Sequence, residues 1–509
     1  MSHARTDRRR IWIGACVLLL VTAVAFVLRT VELDAFPPSP DDGNYLYSAG
    51  AQRIGAGDLG GWLDADLAWM RQAKTYPHSY LHQWWIRWMQ RAGAANVASV
   101  RIDSAILGAL TPLVLFFFAR RVAPSRKLTA WLACAIVAVL AMHTWYSRSG
   151  WGQAGCTFFW LLYVWCGFEL FHGAAPRGAL RSLLLGLGLA GSALFAYGYH
   201  EMVVVLVVGL GIYALVHLVC ERREPHARER WRALAIFVAS CVPIGAYAVA
   251  LPQTKFASRH WLGLVPENSN VGYWSYRGEI LAAFAENRLD LEIGWLVLAL
   301  AVAGAVVMRR RDARAFRFLG VIFTTSWAIF FFFFRDPFLV RIYLPAFVVL
   351  VLFAGVGLAA LHERLVRNSP LVAHGAVALV LAFTLAQCAM TVLGEPGTPL
   401  AISSFYGSRQ PYRHHMRPIV EHLREHRKAG EREAVTDLYT PYFELEDAGI
   451  PSLLFVGRRR EPADGWPEWM IGRVKDDEGG ELKDVGGRGK YELAVADTLG
   501  TLGLFRRRR

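Results

Sequence analysis

The chain has 509 residues, 54% of them hydrophobic and 19% charged, with a formal net charge of +14. A soluble protein has about a quarter of its residues charged. Here the apolar excess falls in blocks of roughly bilayer-spanning length, which excludes a soluble globular class. The positive charge does not mark a nucleic-acid partner, because the arginines cluster between the apolar blocks, where they read as determinants of membrane topology.

The first element is the apolar run 11–28, behind the basic start MSHARTDRRR. Ala23-Val24-Ala25 resembles a signal-peptide cleavage site, but the run is long for a signal core and is expected to stay as a membrane span. Ten further runs complete the expectation of eleven spans: 98–118, 128–143, 153–171, 180–198, 200–219, 233–251, 291–307, 317–334, 338–360 and 371–393. The shortest, 128–143, is the weakest of them. Backbone groups in lipid must find partners within the segment, so the spans are read as helices. The fold class expected is mainly α, a polytopic helical bundle over 1–393 followed by a small α/β domain over 394–509. No inverted repeat is evident between the halves.

Orientation follows from the connections. One set is rich in Arg: RRR at 8–10, ARRVAPSRK at 119–127, Arg177 and Arg181, ERREPHARERWR at 221–232, RRRDARAFR at 309–317 and HERLVRN at 362–368. The alternate short connections carry only Arg148 and Arg335. This asymmetry places the first set, with the N-terminus, in the cytoplasm. Loops 29–97 and 252–290 and the tail then lie outside. The seven cysteines (Cys16, Cys134, Cys156, Cys166, Cys220, Cys241, Cys388) fall in or beside apolar runs, without metal or CxxC spacing, and are read as small hydrophobes.

The outer loop 29–97 opens with PPSPDDGNYLYSAGAQRI at 37–54. Asn44–Ile54 has helical spacing, with Asp41 and Asp42 at its start, so one reading of the acids is a helix cap. The other is chemistry at the membrane surface. A second helix, SYLHQWWIRWMQRAG at 79–93, combines Trp84, Trp85 and Trp88 with Arg87 and Arg91 and suits the headgroup layer. The pairs His78/His82 and His422/His426 have i,i+4 spacing that can hold a metal, but no third acidic ligand stands at useful spacing.

Four segments carry a family resemblance. They are PDDGNYLYSAGAQRI; KTYPHSYLHQWW with VASVRIDSAILGALTPLVLFFFARRV; HTWYSRSGWGQAGCTFFWLLYVW; and RDPFLVRIYLPAFVVLVLFAGVGL. In this order and spacing the chain resembles the polytopic glycosyltransferases of the C superfamily, nearest to the protein O-mannosyltransferase-like and aminoarabinose-transferase-like group. The resemblance implies transfer of a sugar from a polyprenyl-phosphate donor to a protein, lipid or glycan acceptor, on the outer face of the cytoplasmic membrane. It places Asp41 at the family's catalytic aspartate and Asp42 at the neighbouring acid, which is Asp here rather than Glu. It implies no certain cofactor, and a divalent metal stays open.

A single displacement needs one carboxylate to take the acceptor's proton. It also needs cations where the leaving phosphate gains charge. Candidate phosphate contacts are Arg341, Tyr343, Arg148, Lys74, His78 and Arg335, with Arg341 favoured because an arginine at the mouth of a span is costly unless used. Arg101 is a further outer cation. Tyr45, His200 and Glu201 are candidate substrate contacts, although a simple exposed turn suits YGYHE at 197–201 equally. Aromatic residues and Arg277 in loop 252–290 can cover the site or lie in the interface. In the tail, 414–430 and 442–449 read as helices and 433–440, 451–457 and 490–505 as strands, with RRRR at 506–509 a solvated end. The rival function is a transporter or flippase of lipid-linked glycans, which would set charges and broken helices at mid-membrane.

Overall fold

The computed structural model describes residues 2–31, 33, 80–91, 97–150, 152–173, 178–200, 203–220, 227–250, 272–278, 281, 294–333, 343–393, 417–426 and 450, together with six short strands in the tail. The membrane part contains α1 (Ser2–Thr30), α2 (Tyr80–Arg91), α3 (Val97–Val122), α4 (Lys127–Ala138), α5 (Ala141–Ser147), α6 (Gln153–His172) and α7 (Ala179–Tyr199). It continues with α8 (Val203–Cys220), α9 (Ala227–Ala250), α10 (Trp295–Arg311), α11 (Ala313–Phe333), α12 (Leu344–Val366) and α13 (Pro370–Leu393). Every one of the eleven expected spans meets a helix. Among the described residues seven helices are long and apolar enough to cross a membrane on their own, and α4 with α5 makes an eighth if counted as one bent span.

One expected span needs correction. The run 128–143 is not one straight helix: α4 and α5 meet at a 55° bend. In the tenth span the helix α12 starts at Leu344, with Pro345 in its first turn, where a missing backbone N–H costs nothing, and 338–342 lie outside the described residues.

The helix α12 is apolar on every side, the pattern of a helix enclosed by others. It is buried along its length from Leu344 to Ala359 and forms the axis of the bundle. By contrast α1 and α7 sit at the rim, with Leu19, Leu20, Phe26, Leu183, Leu184 and Leu187 exposed as lipid-facing side chains would be. The tightest crossing joins α10 to α12 through two glycines. A Cβ on Gly304 would lie 1.8 Å from the Phe353 carbonyl oxygen, and one on Gly357 would lie 2.0 Å from that of Leu300. Small residues let backbones approach where lipid offers no hydrophobic drive. Gly357→Val is therefore expected to cost at least about 1–3 kcal/mol, the usual range for overpacking, read as loss of monodisperse protein on size-exclusion chromatography.

The arginine-rich connections also join helices. Glu169 of α6 accepts from Arg121 of α3 and from Arg181 of α7 (3.0 Å). Glu363 of α12 meets Arg126 at 2.9 Å and Arg311 at 3.6 Å. Burial of Arg126 lowers its pKa from the ordinary arginine value, and Glu363 opposes that shift.

The tail forms α14 (Arg417–His426) and one mixed six-stranded sheet of β1 (Glu433–Thr436), β2 (Ser452–Phe455), β3 (Trp469–Arg473), β4 (Glu481–Leu482), β5 (Tyr491–Ala496) and β6 (Leu502–Arg507), in the order β2-β1-β3-β6-β5-β4. The first two pairings are parallel and the last three antiparallel. Ile419 and Leu423 of α14 pack with Ile450, Trp469, Ile471 and Leu504, as the helical spacing of 414–430 predicts. Strands β3 and β4 were not expected. Nor is 506–509 wholly a solvated end: Arg506 and Arg507 belong to β6, and the Arg506 guanidinium lies 5.2 Å from the Trp469 ring centre. The expected helix at 442–449 lies outside the described residues.

His422 of α14 stacks on His426 at 4.1 Å and stands edge-on to Trp469 at 5.5 Å. Burial, then His426, lowers its pKa below the ordinary 6.5. The unfolded chain thus takes up this proton at higher pH than the fold does. The neutral ring's contribution is complete above pH 6.5 and declines as the pH falls below it. Amide exchange of 417–426, corrected for the intrinsic rate, is expected to accelerate between pH 7 and pH 5.5, and His422→Phe to remove that dependence.

Candidate active site

At one end of the bundle α1 stops, α3 and α6 start, and the chain bends between α4 and α5. Helix ends leave carbonyls without partners inside the helix, and arginines fill several of them here. Arg29, in the last turn of α1, is fully buried. Its guanidinium donates to the carbonyls of Ala25 (2.9 Å), Ala138 (2.8 Å) and Val137 (3.1 Å), and to His143 Nδ1 (2.8 Å). The bond from arginine makes Nδ1 an acceptor, so the ring hydrogen of His143 sits on Nε2. Among the described residues His143 Nε2 and Arg29 Nε are buried without a hydrogen-bond partner. Arg148, at the end of α5, donates to the Leu28 carbonyl at 3.0 Å. Arg101 in α3 donates to the Leu33 carbonyl at 2.8 Å, which pins the start of the long loop. Gly108 lets α3 approach this cluster, since a Cβ there would lie 2.1 Å from Ser147 Oγ and 3.3 Å from Arg29 Nε.

A second network ties α2 to the same end. His82 is buried, with Nδ1 2.7 Å from Asp103 Oδ2 and Nε2 2.7 Å from the Gly150 carbonyl. The ring thus bridges the Asp103 carboxyl group and the Gly150 carbonyl, donating to the latter through Nε2. Asp103 also accepts from the Ser104 N–H at 2.6 Å and hydrogen-bonds Tyr199 at the end of α7. With its two nitrogens committed, His82 is held as a structural contact, not as half of an i,i+4 metal site. Among the described residues no group of three His, Cys, Asp or Glu is placed to hold a metal.

Among the described residues Arg29, Arg101 and Arg148 are buried cations at this end. Fixed positive groups in a low-dielectric setting stabilise negative charge without reorganising. Arg277, in the helical turn 273–278, is a further buried arginine. Its guanidinium lies 5.1 Å from the Tyr273 ring centre, 5.5 Å from that of Tyr276 and 6.0 Å from that of Phe331.

Of the sequence candidates, Arg148 joins this network. His200 is buried as the C-cap of α7, which removes the exposed-turn reading for that residue. Tyr343 is buried just before α12, with its ring 5.3 Å from Phe330 and 6.3 Å from Trp327. Asp41, Asp42, Tyr45, Lys74, His78, Glu201, Arg335 and Arg341 lie outside the described residues. Sequence reasoning passed over Arg29, Asp103 and His143. The first two had a signal: a charge at the edge of, or inside, an apolar run is costly unless it has a partner.

Compared by sequence, the chain matches no protein-family profile and no curated protein. Compared by structure, it is similar to ArnT from Cupriavidus metallidurans bound to undecaprenyl phosphate, with TM-score 0.60 and 14% identity over 96% of this chain and 97% of that one. The apo state of ArnT aligns equally well, at TM-score 0.60 and 13% identity over 97% and 98%. The Archaeoglobus fulgidus oligosaccharyltransferase aligns at TM-score 0.40 and 12% identity over 90% and 69%, too loosely to bear on the fold. The chain therefore has the fold of ArnT.

Proposed function

We propose that this protein is a membrane glycosyltransferase that moves a sugar from a polyprenyl-phosphate-linked donor to an acceptor at the outer face of the cytoplasmic membrane. The observation that carries this reading is the likeness, over almost the whole of both chains, to ArnT solved with undecaprenyl phosphate. The buried arginine network at one end of the bundle agrees with it, as a place suited to developing phosphate charge.

In the proposed reaction an acceptor hydroxyl attacks the anomeric carbon of the donor sugar. The bond from that carbon to the phosphate oxygen breaks, and the polyprenyl phosphate leaves with the electron pair. Asp41 takes the hydroxyl proton, with Asp42 as the alternative base, and a single displacement inverts the anomeric centre. Arg341, Arg148, Arg335, Lys74, His78 and Tyr343 hold the leaving phosphate, the arginines through paired N–H donors. Tyr45, His200 and Glu201 contact the sugar or the acceptor, which is a protein, a lipid or a glycan. The N-terminus and the arginine-rich connections face the cytoplasm, and the tail lies outside.

The test is transfer of labelled sugar from a polyprenyl-phosphate donor to cell-envelope acceptors by the purified protein in vesicles. Labelled product is expected. Movement of the donor between leaflets with no product would favour the flippase reading instead.

A further inference from the structure

The chain leaves α1 at Thr30 and passes Leu33 before the segment that carries Asp41 and Asp42. Over these few residues it is tied to the bundle by three arginines on three different elements. Arg29 reaches from the last turn of α1 to the Val137 and Ala138 carbonyls at the end of α4 and to His143 of α5. Arg148 reaches from the end of α5 back to the Leu28 carbonyl at 3.0 Å. Arg101 reaches from α3 to the Leu33 carbonyl at 2.8 Å. All three arginines are buried, and so is Leu33. Hydrogen bonds from a charged donor are about twice as strong as neutral ones.

The three ties fix different things. Arg29 and Arg148 set where α1 ends relative to the bend between α4 and α5. Arg101 sets Leu33, which lies beyond the end of α1, against α3. Seven residues, 34–40, then separate the anchored carbonyl from the carboxylate pair. Three of the seven are prolines, Pro37, Pro38 and Pro40, and the proline ring fixes φ. Fewer torsions are therefore free to absorb a shift of Leu33 before it reaches Asp41. A misplacement of about 1 Å, caused far from the chemistry, can cost about a hundred-fold in rate.

We propose that Arg101 and Arg29 are positioning residues for sugar transfer, which set the point from which the Asp41–Asp42 segment enters the site. The role rests on the proposed function, in which that pair supplies the base. In it the two arginines act on the backbone, not on the substrate. Arg148 already stands among the proposed phosphate contacts, so the test leaves it unchanged.

The test measures transfer kinetics and amide hydrogen exchange on the full-length protein in detergent. R101M removes the donor to Leu33 and R101K keeps a charged one. R101M is expected to lower kcat per folded molecule about ten- to hundred-fold with the donor KM unchanged, and to speed amide exchange over 31–36. R101K is expected to retain most of the rate. R29K keeps the charge but has too few donors for the carbonyls of Ala25, Val137 and Ala138 and for His143, so it is expected to shift kcat and exchange in the same direction as R101M. Should R101M lower the folded yield, R101Q carries the same expectation. Arg101 stands near the start of α3 and Arg126 beyond its end, so E363Q, which breaks the pairs of Glu363 with Arg126 and Arg311, disturbs the opposite end of the bundle. It is expected to leave kcat and the exchange of 31–36 as in wild type. In a D41N/D42N background R101M is expected to lower the residual rate less than about two-fold, because a group that acts through the pair loses its effect with the pair. Unchanged kcat or exchange in R101M, an equal loss in E363Q, or a full further loss in the D41N/D42N background would overturn the proposal. D41N/D42N transferring at the wild-type rate would instead overturn the base reading, and the positioning role with it.

Discussion

Asp103→Ala is expected to destabilise the folded protein by about 3–5 kcal/mol, the usual cost of leaving one half of a buried ion pair alone. His82 is buried between Asp103 and the Gly150 carbonyl. Without the Asp103 side chain, His82 Nδ1 loses its partner in a buried setting. The same substitution removes the acceptor of the Ser104 N–H and of Tyr199. Asp103→Asn keeps an acceptor but loses the charge, and should fall between Asp103→Ala and wild type. H82F/D103A removes both partners together and should lose less than the sum of the single variants, since the two residues are directly coupled. Thermal inactivation in detergent checks the series. An Asp103→Ala variant as stable as wild type would show that the pair does not hold α2 against the bundle.

The second large effect is on chemistry. Asp41→Asn is expected to lower the rate of sugar transfer about 10²–10⁴-fold, the usual contribution of a positioned general base, without loss of folded protein. Asp42→Asn separates the two roles open to the pair. If Asp42 caps the helix that follows, its loss costs about 1 kcal/mol of stability and leaves most of the rate. If Asp42 is the base, the two outcomes exchange. Single-turnover transfer measured beside thermal stability distinguishes these cases. Two variants that both transfer at the wild-type rate would remove the carboxylate pair from the mechanism.

Much of the membrane part was legible because lipid simplifies the code. A helix is the element that satisfies its own backbone, so each long apolar run had one reading, and the runs at 11–28, 98–118 and 371–393 became α1, α3 and α13. The bend between α4 and α5 was not legible, because nothing in KLTAWLACAIVAVLAMHTWYS breaks the apolar pattern. Its cause is tertiary: Arg29, more than a hundred residues away, supplies donors to the carbonyls of Val137 and Ala138. The arginine-rich connections were read for orientation, and their pairing with Glu169 and Glu363 needed the helices to be brought together first. In the tail β3 was missed. Its WMIGR alternates weakly, and its place between β1 and β6 is set by pairing. Of the candidates named from the sequence, Arg148 and Arg101 lie at the same end of the bundle, where they donate to the Leu28 and Leu33 carbonyls. The i,i+4 spacing of His78 and His82 offered no third ligand, and the partner of His82 proves to be Asp103 of the next helix, which the sequence did not single out.

Sidedness is the most direct test of the account. In sealed vesicles of uniform orientation, labelled polyprenyl-phosphate sugar is supplied in both leaflets and a membrane-impermeant acceptor on one side only. Product is predicted when the acceptor faces the side that bears the C-terminal domain, and none when it faces the arginine-rich connections. Equal product from both sides, or product only from the arginine-rich side, would contradict transfer at the outer face.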